Sequence, residues 1–81
     1  MTKQEIVEKV NLFLIEKLEI NPELVKPESE LRRDIGLTSL DAMHIYIYMK
    51  QQFGILPVED DIKSLVLLQD LYDYIEKNQK L

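Results

Sequence analysis

The chain has 81 residues, 46% of them apolar and 31% charged, which is room for one domain, 1–81, around one core, in an ordinary globular composition. Its net charge of −5 argues against nucleic acid, whose phosphates are met by Lys and Arg, and suits basic protein partners better. The lack of cysteine excludes disulfides, a thiolate metal site and a cysteine nucleophile together.

The opening MTKQEIVEK lacks the basic-then-apolar layout of a signal peptide, and apolar runs such as Leu65–Leu68 fall far short of the roughly 20 residues that span a bilayer. A cytoplasmic protein with no membrane span, monomeric, is the expectation.

In chain order, Thr2-Lys3-Gln4-Glu5 reads as a capping box. Ile6, Val10, Phe13, Leu14 and Leu18 then recur at steps of three and four, one face of a helix expected to end near Glu19, with Leu12 and Ile15 widening that face. From Asn21 to Thr38 no long period exists. Pro22, Pro27, Ser29-Glu30 and Gly36 mark a long loop, with one helical turn expected around Leu31–Asp34 and with Leu24, Val25, Leu31, Ile35 and Leu37 against the core. Loops of that length are often functional. A second helix is predicted from Thr38–Ser39 to Phe53, closed by Gly54 in the left-handed region. Pro57-Val58-Glu59-Asp60-Asp61 reads as a short helical start, and Ser64 is expected to cap a last helix carrying Leu65, Leu68, Leu71, Tyr72 and Ile75.

The informative stretch is Asp34-Ile35-Gly36-Leu37-Thr38-Ser39-Leu40-Asp41-Ala42-Met43. Thr38 and Asp41 form a second candidate capping box, so Ser39 falls on the first helical position and its hydroxyl is not needed for the cap. The unpaired N–H groups of a first turn and the positive end of the helix dipole favour an anionic phosphodiester there. Serine is also common at helix starts for capping alone, and the local pattern by itself favours that explanation.

A catalytic serine is a poorer reading. It needs a base within hydrogen-bond reach, and the one histidine, His44, lies five residues along the same helix. At about 100° per residue the two side chains diverge by roughly 140°. One histidine and no cysteine also make a poor metal site, and two glycines make no phosphate-cradling loop.

The run Asp34-Ile35-Gly36-Leu37-Thr38-Ser39-Leu40 resembles the phosphopantetheine-attachment motif of acyl carrier proteins, in which Asp-x-Gly-x-x-Ser-Leu precedes the second helix. The likeness extends over nearly the whole chain: the first helix and the long loop, Phe53 closing the second helix, Pro57 with its acids, and Leu68-Gln69-Asp70-Leu71-Tyr72-Asp73-Tyr74-Ile75 as the fourth helix. The resemblance implies an all-α, antiparallel four-helix bundle with a long loop after helix 1 and a short third helix. It implies a carrier and not an enzyme, with 4′-phosphopantetheine from coenzyme A attached to Ser39 by a separate phosphopantetheinyl transferase. The arm would hold acyl groups as thioesters and present them to acyl-transferring and synthase enzymes of fatty-acid or polyketide type. Two alternatives stay open, an aminoacyl or peptidyl carrier and a helical interaction module with no prosthetic group. Thr38 departs from the family pattern, where many members have Asp; it caps nearly as well but removes a negative charge beside Ser39.

The second helix carries two apolar lines. Ala42, Ile45, Tyr46, Met49 and Phe53 have the spacing of a core face. Leu40, Met43 and Ile47 make a neighbouring line that either broadens the core or forms a docking patch beside Ser39; family likeness favours docking, with Asp34, Leu37 and Asp41 as further contacts. Between Ser39 and Phe53 the charges are Asp41 against Lys50, so this face is close to neutral, unlike the acidic second helix of many carriers. Docking is therefore expected to lean on apolar contact, unless Asp34 and residues 59–61 fold close enough to rebuild an acidic patch.

Overall fold

Thr2 opens the first helix, α1 (Lys3–Glu16), by a reciprocal cap: its Oγ1 accepts from the Glu5 N–H at 3.2 Å, and the Glu5 carboxylate accepts from the Thr2 N–H at 3.1 Å. The computed structural model describes residues 1–80. Ile6, Val10 and Leu14 are buried in the stripe the sequence marks, with Phe13 and Leu18 half-buried beside them. The helix ends at Glu16, short of the expected Glu19. Glu19 takes a left-handed φ of 56°, and the N–H groups of Leu18 and Ile20 turn back to the carbonyls of Phe13 and Leu14 at 3.3 and 3.0 Å. That exit lays Leu18 and Ile20 against the core. Leu12 does not widen the buried face; it is 55% exposed. It stands two residues from both Val10 and Leu14, about 200° round the helix from each.

The long loop is stitched down. Pro22–Leu24 form one 3-10 turn, capped by the Asn21 carboxamide accepting from the Glu23 N–H at 3.0 Å. Leu24, expected inside, points outward on that turn, whereas Leu31 and Ile35 are buried and Val25 and Leu37 half-buried. Next, Leu31 N–H donates to the Val66 carbonyl (2.8 Å), Leu68 N–H to Ser29 (2.8 Å) and Gln69 N–H to Pro27 (2.9 Å). The loop thus pairs with the approach to the last helix, including one antiparallel bridge between Glu30 and Leu67. This pairing corrects the expected role of Ser64. Residues 65–67 lie outside any helix, with Leu67 extended, so α4 spans Leu68–Asn78, and Ser64 closes α3 (Glu59–Lys63) with its hydroxyl donating to the Asp61 carbonyl at 2.6 Å. The start of α4 is instead held by the Asp70 carboxylate, which accepts from the N–H groups of Val66 and Leu67 at 3.1 and 2.9 Å.

Between them, α2 (Ser39–Phe53) has the predicted boundaries, and Gly54 closes it at φ 68°. Together the helices make the antiparallel four-helix bundle, with no strand among the described residues. The core joins Ile6 and Leu14 of α1, Met49 and Phe53 of α2, and Leu68, Tyr72 and Ile75 of α4. Phe13 stacks on Tyr48 with ring centres 4.1 Å apart, and Tyr48 meets Phe53 edge-on at 5.8 Å. The Tyr48 hydroxyl then donates to the Lys9 carbonyl at 3.0 Å. Tyr72 reaches across to the Asn11 side chain, and Gln79 Nε2 donates to the Met1 carbonyl at 2.9 Å, so the start of α1 lies at the end of α4.

Candidate functional site

The segment before α2 is shaped by local chemistry. Asp34 turns its carboxylate back to accept from the Glu30 N–H at 2.8 Å, and the N–H groups of Asp34 and Ile35 both reach the Glu30 carbonyl at 3.0 Å. These bonds make the predicted turn at 31–34. Gly36 follows with a φ of 78°, which a side chain would strain, and leads the chain to the start of α2. There Thr38 Oγ1 accepts from the Asp41 N–H at 3.2 Å while the Asp41 carboxylate accepts from the Thr38 N–H at 3.0 Å.

Because Thr38 performs the cap, Ser39 is left with a different situation. It is the first residue of α2, it is exposed, and among the described residues neither its hydroxyl nor its N–H has a hydrogen-bond partner. The same is true of the Leu40 N–H. This donor set fits a phosphodiester: a hydroxyl open to substitution, with unpaired amide N–H groups beside it at the positive end of a fifteen-residue helix.

Ser39 also lines a cleft of about 650 Å³ that runs inward between α2 and α3. Leu37, Met43 and Tyr46 form one wall, Pro57 and Ile62 the other, and Leu71 of α4 is reached at depth. The charged side chains on its lining are Arg32, Glu59 and Lys63, of which Glu59 and Lys63 pair with each other at 3.2 Å. His44 is elsewhere. It borders a second groove with Lys9, Phe13 and Tyr48, between α1 and α2, so the structure separates it from Ser39 as the helix period requires.

The other sequence-derived positions fall into two groups. Leu40, Met43 and Ile47 are 63%, 58% and 53% exposed, one apolar line running from Ser39 down α2. Ile45, Met49 and Phe53 are buried on the opposite line, with Ala42 and Tyr46 half-buried between. Leu37 is half-buried in the cleft wall, while Asp34 and Asp41 are engaged by backbone N–H groups of their own turns. Of the 59–61 acids only Glu59 borders the cleft; Asp61 lies by the Tyr74 hydroxyl, at 3.4 Å. Sequence reasoning missed the far wall of the cleft, Ile62 and Leu65, and missed Arg32, since neither apolar period nor motif spacing reveals which loop residues meet α3.

Comparison with known proteins decides the family. Residues 10–75 match the family described as "Phosphopantetheine attachment site". The chain is 31% identical over 75 residues to an acyl carrier protein of Thermosynechococcus vestitus, covering 93% of each chain. It is 31% identical over 77 residues to one of Chlorobium phaeobacteroides, covering 95% of this chain and 99% of that one. A third, from Nitratidesulfovibrio vulgaris, is 31% identical over 74 residues, 91% of this chain and 97% of the other. The chain belongs to the acyl carrier protein family. Membership implies a covalently attached 4′-phosphopantetheine and a carrier role, not a catalytic one. An acyl carrier works with synthase and transferase enzymes, and no helix among the described residues is long and apolar enough to cross a membrane.

Proposed function

We propose that Ser39 Oγ is the attachment point of 4′-phosphopantetheine and that the chain is a carrier serving fatty-acid or polyketide-type synthesis. A separate phosphopantetheinyl transferase moves the group from coenzyme A to Ser39: the serine oxygen bonds to the phosphorus next to the pantetheine, the pyrophosphate bond breaks, and adenosine 3′,5′-bisphosphate leaves as the hydroxyl gives up its proton. When bound, the group supplies a thiol that holds the acyl chain as a thioester. The observation that carries the reading is the freedom of Ser39: Thr38 and Asp41 complete the cap between them and leave the serine hydroxyl unengaged beside unpaired N–H groups. Ser29 and Ser64 contrast with it. Ser29 is 7% exposed and Ser64 donates within its own turn, so neither offers a hydroxyl to a partner enzyme as Ser39 does.

The protein's own residues have two further tasks in this reading. The cleft beside Ser39 shelters the proximal part of an acyl chain from water, its walls being Leu37, Met43, Tyr46 and Ile62. Leu40, Met43 and Ile47 form the surface that partner enzymes grip, with Asp34, Leu37 and Asp41 shaping its upper edge. The names of the curated relatives favour acyl over aminoacyl cargo.

Incubation with coenzyme A and a broad-specificity transferase, followed by intact-mass measurement, tests the attachment. One arm is expected on the wild type and none on Ser39→Ala, whose circular dichroism stays helical. An arm on the alanine variant would refute the assignment.

A further inference from the structure

The cleft that begins at Ser39 holds one charge with no counter-charge. Its charged lining consists of Arg32, Glu59 and Lys63, and the last two neutralise each other in an i,i+4 pair. Arg32 forms no ion pair among the described residues, whereas its neighbour Arg33 turns away to Glu30 at 3.7 Å. Among the described residues no ion pair joins Arg32 to the acids closest in sequence to Ser39 either. Asp34 is bound by the Glu30 N–H at 2.8 Å and Asp41 by the Thr38 N–H at 3.0 Å. A chain of net charge −5 thus keeps a guanidinium with no ion-pair partner among the described residues on the wall of a cleft that contains Ser39.

The base of that side chain is fixed. Arg32 follows Leu31, which is 8% exposed, whose N–H is bonded to the Val66 carbonyl at 2.8 Å and whose carbonyl accepts from the Leu37 N–H at 2.9 Å. Guanidinium is always charged and presents paired N–H donors that match two oxygens of a phosphate. A phosphodiester on Ser39 Oγ would stand at the same cleft with one negative charge and two non-bridging oxygens.

We propose that Arg32 is the phosphate-holding residue of this carrier, gripping the phosphodiester on Ser39 and so directing the first bonds of the arm along the cleft wall. The inference rests on the assignment of Ser39, and the experiment separates the two. Wild type, Arg32→Gln and Arg33→Gln are each loaded and weighed intact; failure to load any of them would count against Ser39, not against Arg32. On the loaded proteins, the arginine Nε–Hε resonances and the phosphorus resonance of the arm are then compared with the unloaded state. The expected result is a shift of the Arg32 signal on loading with Arg33 unmoved, and a phosphorus shift displaced by Arg32→Gln but not by Arg33→Gln. Arg32→Lys, which keeps the charge without the fork, should restore part of the displacement. Inorganic phosphate added to the unloaded chain at the same concentration should leave Arg32 where it was, since the contact depends on tethering. An Arg32 signal indifferent to loading, equal effects of the two glutamine variants, or an Arg32 response to inorganic phosphate as large as that to loading would each overturn the proposal.

Discussion

Helices α2 and α4 are both amphipathic in origin, yet they spend their apolar residues differently. In α4 Leu68, Leu71, Tyr72 and Ile75 are buried and Tyr74 is half-buried, and the exposed side is Asp73, Glu76 and Lys77. In α2 the buried line of Ile45, Met49 and Phe53 is matched by an exposed line of Leu40, Met43 and Ile47. A helix that only packs needs one apolar stripe. A second stripe left in water, starting at the residue after Ser39, has no structural task in the bundle and is the surface by which partners are proposed to recognise this carrier. The contrast also explains why charge is distributed as it is. The outer face of α4 is tied electrostatically to α1 through Lys3 and Asp73, while α2 presents Asp41, already capped, and Lys50.

The largest expected effect lies on the inner line of α2. Phe53 is fully buried and meets Tyr48 edge-on, so Phe53→Ala should cost about 3–5 kcal/mol, a large share of the stability of a small domain, measured by urea unfolding. A loss below about 1 kcal/mol, the scale of a surface change, would break the division between the lines.

On the outer line the pattern inverts. Leu40→Ala, at a side chain already 63% exposed, should change stability by only about 0.5 kcal/mol while slowing arm transfer. Met43→Ala should likewise slow transfer at every ionic strength, and the wild-type rate should depend weakly on salt. Exposed charges are screened beyond about 8 Å at physiological salt, and the acids of α4 and of residues 60–61 do not border the Ser39 cleft. A steep loss of rate with salt and no effect of Met43→Ala would show recognition to be electrostatic.

The smallest effect concerns the outer face of α4. Hydrogen bonds from Lys3, and then from Gln69, hold the Asp73 carboxyl below the usual carboxylate range. A depressed folded value means that the stabilisation is complete above the unfolded pKa and fades as pH falls through the folded one. Asp73→Asn should therefore lower the melting temperature slightly at neutral pH, with the gap to wild type closing in acid. A gap that persists at low pH would mean that the asparagine acts through packing and not charge.

Much of this architecture is legible in short stretches of the chain. The capping boxes at Thr2 and Thr38, the glycine stop at Gly54 and the two lines of α2 are local or periodic features; the caps and the stop satisfy orphan N–H or C=O groups within one turn, and the lines follow from the helical period. The departures share a cause. Nearest neighbours in sequence suggest one fate for Glu19, Leu12, Leu24 and Ser64, whereas the packing of whole segments imposes another. Ser64 is a plausible cap in isolation; the bonds from Leu31 to Val66 and from Leu68 to Ser29 pull the following residues straight and delay α4 to Leu68. The sequence by itself determined the family motif, the helical class, and Ser39 as the first residue of α2 with its hydroxyl released from capping. Only the tertiary structure decided that the loop carrying Arg32 and the short α3 close against α2 to form a cleft at that serine. Such a cleft depends on contacts between residues some thirty positions apart, such as the bond from Leu31 to Val66, whose meeting no local period encodes.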